Sequence, residues 1–340
     1  MWIWHDDFGD FIRHVWPANS DINASLETLQ PLLSSWNKEV FGMIEQNKQR
    51  ILKRLDGIQR SSGYPHSDFL AKLEIELQTE LERLLELEEI KWFQKSRSEW
   101  IANGDRNTKF YHLKAKIRSR RNKILMLKDE FGRWVSNENE LRSLVTSHFK
   151  NIYCSDPQDA MRLATRSTFP VIGQQKLCEL SAIPLNDEIK AALFSMGTYK
   201  APGIDGFPPL FYKSNWATVG SAVCDFVKKV FKREVSLQQA NQTLISLIPK
   251  RESVESVSHF RPISLCTVHY KCITKVLAMR LRGVMKDLIS PFQSSFIKGR
   301  CIQDNILVGQ EILHIMGKNR SKKGLMAMKI DLEKAYDRIS

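Results

Sequence analysis

Apolar residues recur every three or four positions through much of the first hundred residues. This spacing places them on one face of a helix, and it predicts helices over about residues 23–58 and 67–100. The intervening stretch Ser61-Ser-Gly-Tyr-Pro65 is typical of a loop. We therefore predict an antiparallel helical hairpin, a structural arm for which a coiled-coil interaction protein is an alternative interpretation.

A mixture of short strands and further helices is predicted beyond this hairpin. Residues 124–135 read as a β-hairpin with Gly132 in its turn, and a helix follows over about 137–153. Residues 154–183 carry no strong pattern and are interpreted as a linker. We expect a mostly helical α+β protein with a helical basic region over 1–153 and a second domain over 184–340.

The second domain is predicted to contain four helices and two short strands. Asn186 is expected to cap the first helix, whose buried face includes Ile189 and Leu193. Two helices are predicted over 217–233 and about 267–285, the latter with an inward face formed by Tyr270, Ile273, Leu277, Leu281 and Val284. A last helix is expected over 302–316, and one strand over 244–250, followed by a loop and the segment 260–265.

The run from Leu325 to Ile330 is short, mostly apolar and preceded by Gly324, which predicts a buried strand. Asp331 then places a carboxylate at the end of that strand. Such a carboxylate either caps a following helix or binds a hard cation such as Mg²⁺. Taken alone, the position favours the cap.

The chain of 340 residues carries a formal net charge of +13. Residues 101–133 hold 10 basic and 3 acidic residues, and residues 250–340 hold 17 basic and 8 acidic residues. Two basic regions on a near-neutral background indicate binding surfaces for a polyanion. Charge alone does not separate nucleic acid from an acidic membrane.

The densest basic cluster follows Phe110, Tyr111 and His112. Basic residues neutralise phosphates and aromatic residues stack on bases, so the composition suits RNA or single-stranded DNA, although a solvated helix face is the alternative. The basic residues of this cluster are Lys114, Lys116, Arg118, Arg120, Arg121 and Lys123.

Other functional classes find less support in the sequence. The six cysteines are dispersed without a Cys-x-x-Cys pair, which argues against a zinc site or a disulfide framework. No apolar run approaches the ~20 residues that span a bilayer, and the first residues do not resemble a secretory signal. We expect an intracellular protein, in the nucleus or cytoplasm, with no membrane partner; the oligomeric state is not indicated.

The segment Asp331-Leu-Glu-Lys-Ala-Tyr336-Asp-Arg resembles the first palm motif of reverse transcriptases from non-LTR (LINE-type) retrotransposons, especially the plant ones. The resemblance implies the fingers and an incomplete palm of a right-hand fold. It implies that Asp331 binds the catalytic Mg²⁺ ions and that Tyr336 lies under the incoming sugar and excludes a 2′-hydroxyl. Asp337 has no metal role in that pattern.

Earlier segments resemble the same family in the same order. Residues 95–110 look like the region between endonuclease and polymerase in plant LINE elements. Residues 199–208 resemble a loop that contacts template RNA, which assigns this role to Lys200, Gly203 and Gly206. Tight turns at these glycines would let backbone N–H groups approach a phosphate.

Two further segments resemble the fingers and the template–primer path of that family. In the strand–loop–helix region, Lys250 and Arg261 would grip the incoming triphosphate, because an arginine engages phosphate oxygens in a fork. The alternative is a solvated Lys250 and an Arg261 that pairs with a neighbouring acid. Residues 293–305 resemble the next motif and assign nucleic-acid contacts to Phe296, Gly299 and Arg300.

The resemblance implies nucleotidyl transfer by two Mg²⁺ ions, with template RNA, an RNA–DNA hybrid and a deoxynucleoside triphosphate as partners. The family's paired aspartates, in a Tyr/Phe-x-Asp-Asp sequence, do not occur within these 340 residues, and Trp4-His-Asp-Asp7 is only a superficial match. We therefore expect a truncated piece of such an enzyme that does not polymerise alone. The alternative is a non-enzymatic RNA- or DNA-binding scaffold left from a decayed retroelement.

Overall fold

The computed structural model describes residues 2–5, 7–17, 21–40, 44–61, 63–64, 66–96, 108–153, 170–238, 240–319 and 324–330. These residues form two compact units, each assembled from three stretches of chain. Unit 1 comprises residues 1–123, 184–252 and 261–273, and unit 2 comprises residues 124–183, 253–260 and 274–340.

The described residues are mostly helical, consistent with the predicted α+β class. The helices are α1 (Phe8–Val15), α2 (Ile22–Val40), α3 (Ile44–Gln59), α4 (Asp68–Ser96), α5 (Thr108–Asn122), α6 (Glu138–Tyr153), α7 (Gln174–Ser181), α8 (Asn186–Phe194), α9 (Pro209–Ser214), α10 (Trp216–Phe231), α11 (Val268–Leu288) and α12 (Ile302–Lys318). The strands are β1 (Leu127–Lys128), β2 (Trp134–Val135), β3 (Leu244–Pro249) and β4 (Phe260–Leu265), and they form two-stranded sheets β1–β2 and β3–β4.

The first predicted helix, over about residues 23–58, corresponds to α2 and α3, with residues 41–43 outside the described ranges. Helix α3 and helix α4 form a hairpin. Its core contains Ile51, Leu55, Ile58 and Leu77, all buried. Close to the connecting loop, Gln59 donates a hydrogen bond to Glu74 at 3.0 Å. Farther from that loop, Lys48 pairs with Glu88 at 2.9 Å. Because residues early in α3 meet residues late in α4, the two helices run antiparallel.

An aromatic cluster holds the N-terminal segment in unit 1. The Trp36 ring of α2 lies 5.4 Å, centroid to centroid, from Phe8 and 5.4 Å from Phe11 of α1. The Trp2 indole N–H donates to Asn37 Oδ1 at 2.6 Å. The residues before α2, which show no regular sequence pattern, are thus anchored by buried aromatic surface.

The second core of unit 1 is built by α8, α9, α10 and the start of α11. Ile189 and Leu193 are fully buried, as predicted. The capping prediction is wrong: Leu185 occupies the N-cap position without a side-chain cap, and Asn186 is the first helical residue. Asp187 and Glu188 lie in the first turn, where a negative charge interacts favourably with the positive end of the helix dipole.

The inward face of α11 differs from the predicted one. Val268, Cys272 and Val276 are fully buried at intervals of four residues, whereas Leu277 and Leu281 are 41% and 45% exposed. Ile273 and Val284 are buried as predicted. Apolar residues occur on more than one face of this helix, so periodicity alone did not identify the face that packs.

Unit 2 contains the predicted β-hairpin. Leu127 pairs with Val135, and Gly132 adopts a φ of +78° in the turn, a value that favours glycine. The Lys128 ammonium pairs with Glu255 at 2.8 Å. Helix α7 lies within the predicted linker 154–183. The predicted domain boundaries stay a prediction.

The predicted strand over residues 325–330 is absent: residues 324–330 have no regular secondary structure, and Met326 and Ile330 are 81% and 79% exposed. A strand needs a neighbour for its backbone N–H and C=O groups, and in the described part of the chain β3 and β4 pair only with each other. Helix α12 forms as predicted, yet none of its described residues is buried.

Candidate nucleic-acid interface

Helix α5 is a strongly basic helix on unit 1. It contains six lysine or arginine residues and no acidic residue. Five of the six are exposed and Arg118 is half-buried. Across the described ranges, no ion pair joins any of the six to an acid. Their positive charge is therefore available to an external anion. Lys123, also exposed, follows the helix directly.

Aromatic contacts fix α5 on the protein. Tyr111 is fully buried, with its ring 5.6 Å from Phe93 of α4. His112 lies 4.1 Å from the Trp92 ring, and α5 also contacts β3. The expectation that Tyr111 stacks on a base is wrong, because this side chain forms part of the core. Phe110 remains 45% exposed.

An exposed apolar row on α5 was missed by the sequence reasoning. Phe110, Leu113 and Ile117 are all exposed, and their spacing of three and four residues places them on one helix face. Lysine and arginine side chains flank this row. The spacing was visible in the sequence, but it resembles that of a core face, and only the structure shows that it faces solvent.

The loop over residues 199–208 lies in the same unit. The Tyr199 ring meets the Phe93 ring edge to face at 5.3 Å, and Lys200 is exposed. Gly203 is buried, and a Cβ atom on it would lie 2.5 Å from the backbone nitrogen of Thr267. Close packing of two backbone segments thus accounts for Gly203. Gly206 adopts a φ of +77°. Template contacts by Lys200, Gly203 and Gly206 stay predictions.

Asp205 stabilises this loop from within. Its carboxylate accepts hydrogen bonds from the Phe207 backbone N–H at 3.3 Å and from the Tyr212 hydroxyl at 3.4 Å. Burial raises the pKa of Asp205 to about 6, because the charged form loses solvation. Lys271 donates to the Ala201 carbonyl at 3.1 Å. No sequence signal distinguished Asp205 from an ordinary loop aspartate.

The two residues proposed to hold a triphosphate belong to paired strands. Lys250 follows β3 directly, and Arg261 is the second residue of β4. Both side chains are exposed, and the strands pair in one sheet. This arrangement brings the two residues into one small substructure, against which α5 lies through its contact with β3.

The three residues from the segment 293–305 lie in unit 2. Phe296 is 89% exposed and has a φ of +66°, which is uncommon for a residue with a Cβ atom. Gly299 has a φ of +82°. The Arg300 guanidinium donates to the carbonyls of Lys286, Ile289, Ser290 and Gln293 at 2.6–3.3 Å. Its observed contacts therefore anchor the loop after α11. Nucleic-acid contacts by Phe296, Gly299 and Arg300 stay predictions.

Asp331 and Tyr336 lie outside the described residues, so their predicted roles have no described geometry. Among the residues that the structure describes, no group of three His, Cys, Asp or Glu side chains could hold a metal ion. These residues by themselves therefore do not fit a Mg²⁺ site. The described cysteines, Cys178, Cys224, Cys266, Cys272 and Cys301, are free thiols.

In the described ranges, no helix combines the length and the apolar character needed to cross a membrane. Comparison with protein families matches residues 248–340 to the family described as reverse transcriptase (RNA-dependent DNA polymerase). The matched region begins inside β3. The chain is also 28% identical over 249 residues to the transposon TX1 uncharacterized 149 kDa protein of Xenopus laevis.

The aligned residues make up 73% of this chain and 19% of the Xenopus laevis protein, so the chain spans about a fifth of that relative's length. The two similarities thus relate part of this chain to a reverse-transcriptase family and to a transposon protein. They give no support to the narrower resemblance to plant elements.

Proposed function

We propose that this chain supplies the basic linker, the fingers and the first palm motif of a LINE-type reverse transcriptase, an RNA-directed DNA polymerase. One observation carries the proposal: the reverse-transcriptase match begins in β3, and the strongly basic α5 lies against that strand. A polymerase fingers region needs such positive charge, because both the template and the triphosphate are anions.

Template binding is assigned to α5 and the loop 199–208. Both lie in unit 1, and Phe93 contacts a tyrosine from each of them. The exposed lysines and arginines of α5 would neutralise phosphates of RNA or of an RNA–DNA hybrid. The buried aromatic contacts would hold helix and loop in a fixed relation when the strand binds.

Triphosphate binding is assigned to Lys250 and Arg261. An arginine can donate two parallel hydrogen bonds to phosphate oxygens, whereas a lysine acts as a point charge. We expect Arg261→Gln to weaken binding of a fluorescent deoxynucleoside triphosphate about tenfold, the equivalent of ~1.5 kcal/mol for a charge-assisted hydrogen bond. Lys229→Gln, an exposed charge change on α10, is the control. Equal affinity in both variants would contradict the assignment.

Catalysis is assigned to Asp331, which would hold Mg²⁺, and to Tyr336, which would exclude a 2′-hydroxyl; the bound ion would supply Lewis-acid chemistry. A polypeptide of residues 1–340 contains Asp331 without a Tyr/Phe-x-Asp-Asp sequence. We expect no primer extension from this polypeptide. Magnesium-dependent synthesis that survives Asp331→Asn would contradict both the expected inactivity and the role of Asp331.

The second candidate is a non-enzymatic scaffold that binds RNA or DNA. The basic face of α5 favours it, since phosphate contacts require no catalytic carboxylates. Nucleotide binding separates the two candidates. Binding of RNA or DNA without any triphosphate binding at Lys250 and Arg261 would favour the scaffold. Triphosphate binding that depends on these two residues would favour the polymerase.

A further inference from the structure

A cavity of about 550 Å³ opens in unit 1 among the N-terminal segment, α4 and the loop 199–208. Its wall is mostly apolar and includes Trp2, Phe8 and Pro208. The volume lies within the range of cavities that bind small organic ligands, and such sites combine apolar walls with a few polar groups. Lys200 and Gly206, assigned above to template contacts, lie in its wall, but no ligand has been assigned to the cavity itself.

The charged residues that the structure describes around the cavity are all lysines. Lys91, Lys95 and Lys200 line it, and none of the described acidic residues does. Two other cavities in unit 1 differ: one is lined by Glu27 and Asp205 without a lysine or arginine, and the other has Asp21, Asp225 and Lys229 in its wall. The first cavity therefore attracts an anion with an apolar part, because its apolar wall and its cations occur together.

Three neighbouring polar side chains of helix α4 line the cavity. Gln94 and Lys95 follow Lys91 by three and four residues, so both lie close to Lys91 on the same side of the helix. The Lys95 ammonium lies 5.2 Å from the centroid of the Trp92 ring, and His112 of α5 also contacts that ring. A basic and aromatic track thus connects the cavity with the basic helix.

Groups that could recognise a flat heteroaromatic ring are also present. Trp2 is held by its hydrogen bond to Asn37, and its ring is inclined by only 29° to that of Phe8. Tyr199, also in the wall, is 41% exposed. Asn37 and Gln94 supply amide donors and acceptors that suit the edge of a base. Aromatic rings stack on any base, which makes such a site tolerant of sequence.

We infer that this cavity binds one unstacked nucleotide of a single-stranded nucleic acid that follows α5. The base enters the apolar cavity and stacks on an aromatic ring, and the adjoining phosphates lie at Lys91, Lys95 and Lys200. The inference rests on the proposed function, because α5 and Lys200 of the loop 199–208 supply the neighbouring contacts to the same nucleic acid.

The test uses the full chain and fluorescence anisotropy with a short single-stranded DNA and a matched strand of abasic residues. Loss of the bases should weaken binding by at least about fivefold, since a stacked base contributes ~1 kcal/mol or more. Gln94→Trp, which fills the cavity, should reduce this difference. The triple variant Lys91→Gln, Lys95→Gln, Lys200→Gln should reduce the slope of log K against log salt by about 2.

The control is a triple variant at exposed sites elsewhere on α3 and α4: Lys53→Gln, Lys72→Gln and Arg83→Gln. It carries the same charge change and should leave the slope unchanged. Circular dichroism checks folding, and the lysine variants keep the inference testable if Gln94→Trp does not fold.

Several outcomes would overturn the inference. If neither cavity variant changes nucleic-acid binding while charge removal on α5 does, the cavity is not a nucleotide site but template binding by α5 stands. If α5 variants also have no effect, both fail. Equal binding of the abasic strand or of polyglutamate would indicate a general polyanion surface. Displacement of a fluorescent nucleotide from the cavity by AMP, with strand binding unaffected by the variants, would indicate a free-nucleotide site.

Discussion

The Phe93 ring of α4 meets the Tyr199 ring edge to face, with centroids 5.3 Å apart and planes at 84°. The same phenylalanine contacts Tyr111 of α5. One buried side chain therefore joins the basic helix to the loop 199–208, although these segments are far apart in sequence. Such aromatic pairs contribute about 0.5–1.5 kcal/mol each beyond the area they bury. The relative position of two candidate template-binding elements depends on this contact.

Charge removal on α5 should weaken binding to single-stranded nucleic acid. We expect Arg118→Gln, Arg120→Gln and Arg121→Gln together to reduce the slope of log K against log salt by about 2, since each phosphate contact on a single strand contributes about 0.7. Titrations at several salt concentrations measure the slope. The Lys53, Lys72 and Arg83 triple variant is the charge-matched control. An unchanged slope would show that these arginines do not contact phosphates.

Substitution of Gly203 should destabilise unit 1. In Gly203→Ala the added Cβ would meet the Thr267 backbone nitrogen at 2.5 Å, so one of the two backbone segments must move. Overpacking of this kind costs about 1–3 kcal/mol, which urea unfolding would measure. Gly57→Ala in α3, where a Cβ meets nothing within 4 Å, should be neutral or stabilising. Equal stability of the Gly203→Ala variant and the unmodified chain would disprove the tight packing.

Asp205 should make stability depend on pH. Burial raises its pKa to about 6 from an ordinary value of 3.8. The folded protein holds this proton more tightly than the unfolded chain does, so the group's stabilising contribution is complete below about pH 4 and is lost as pH rises through 6. The asparagine in Asp205→Asn is uncharged at every pH. Relative to the unmodified chain, it should gain about 2 kcal/mol in unfolding free energy between pH 4 and pH 8.

The difference in unfolding free energy between the unmodified chain and the Asp205→Asn variant reports on Asp205. His269 is buried as well, and burial lowers its pKa to about 4, so its effect on stability has the opposite sign: stability falls as pH drops from 6.5 towards 4. Both proteins contain His269, together with Asp21, whose charge opposes that lowering. The histidine effect cancels in the difference. Identical pH profiles for the two proteins would mean that Asp205 titrates normally.

Arg300 should stabilise the loop that follows α11. Its guanidinium donates to four backbone carbonyls, and a lysine cannot reproduce this planar arrangement. We expect Arg300→Lys to lower the opening free energy of residues 289–300 by about 1–2 kcal/mol, measured by amide hydrogen exchange. Arg282→Lys, an exposed position on α11, is the matched control. Unchanged amide exchange rates in Arg300→Lys would show that the stability of the loop does not depend on these hydrogen bonds.

Local sequence patterns predicted most helices and short strands of this fold. The α3–α4 hairpin was predictable because its apolar residues keep a regular helical spacing on a polar background. The face of α11 was not, because apolar residues such as Leu277 and Leu281 also occupy its exposed side. Which of two apolar faces packs depends on the neighbouring elements, and these are distant in sequence.

In the candidate site, too, some features could be predicted from the sequence and others could not. The charge of α5 was plain from the sequence, since six basic residues occur without an acid. The burial of Tyr111 depends on Phe93 from another helix, and the role of Gly203 depends on Thr267, so neither could be predicted from adjacent residues. Residues 324–330 were expected to form a strand from composition, but a strand also requires a partner.

The interleaving of the two units has a consequence for how the chain can be made and divided. The chain crosses between unit 1 and unit 2 five times, and unit 1 is complete only when residue 273 has been synthesised. Helices α2 and α5, which contact α10 and β3, therefore cannot complete their packing until those later elements have been synthesised. A single proteolytic cut cannot separate the two units, because every fragment that contains all of one unit also carries part of the other. Expression of either unit alone therefore requires redesigned chain connections.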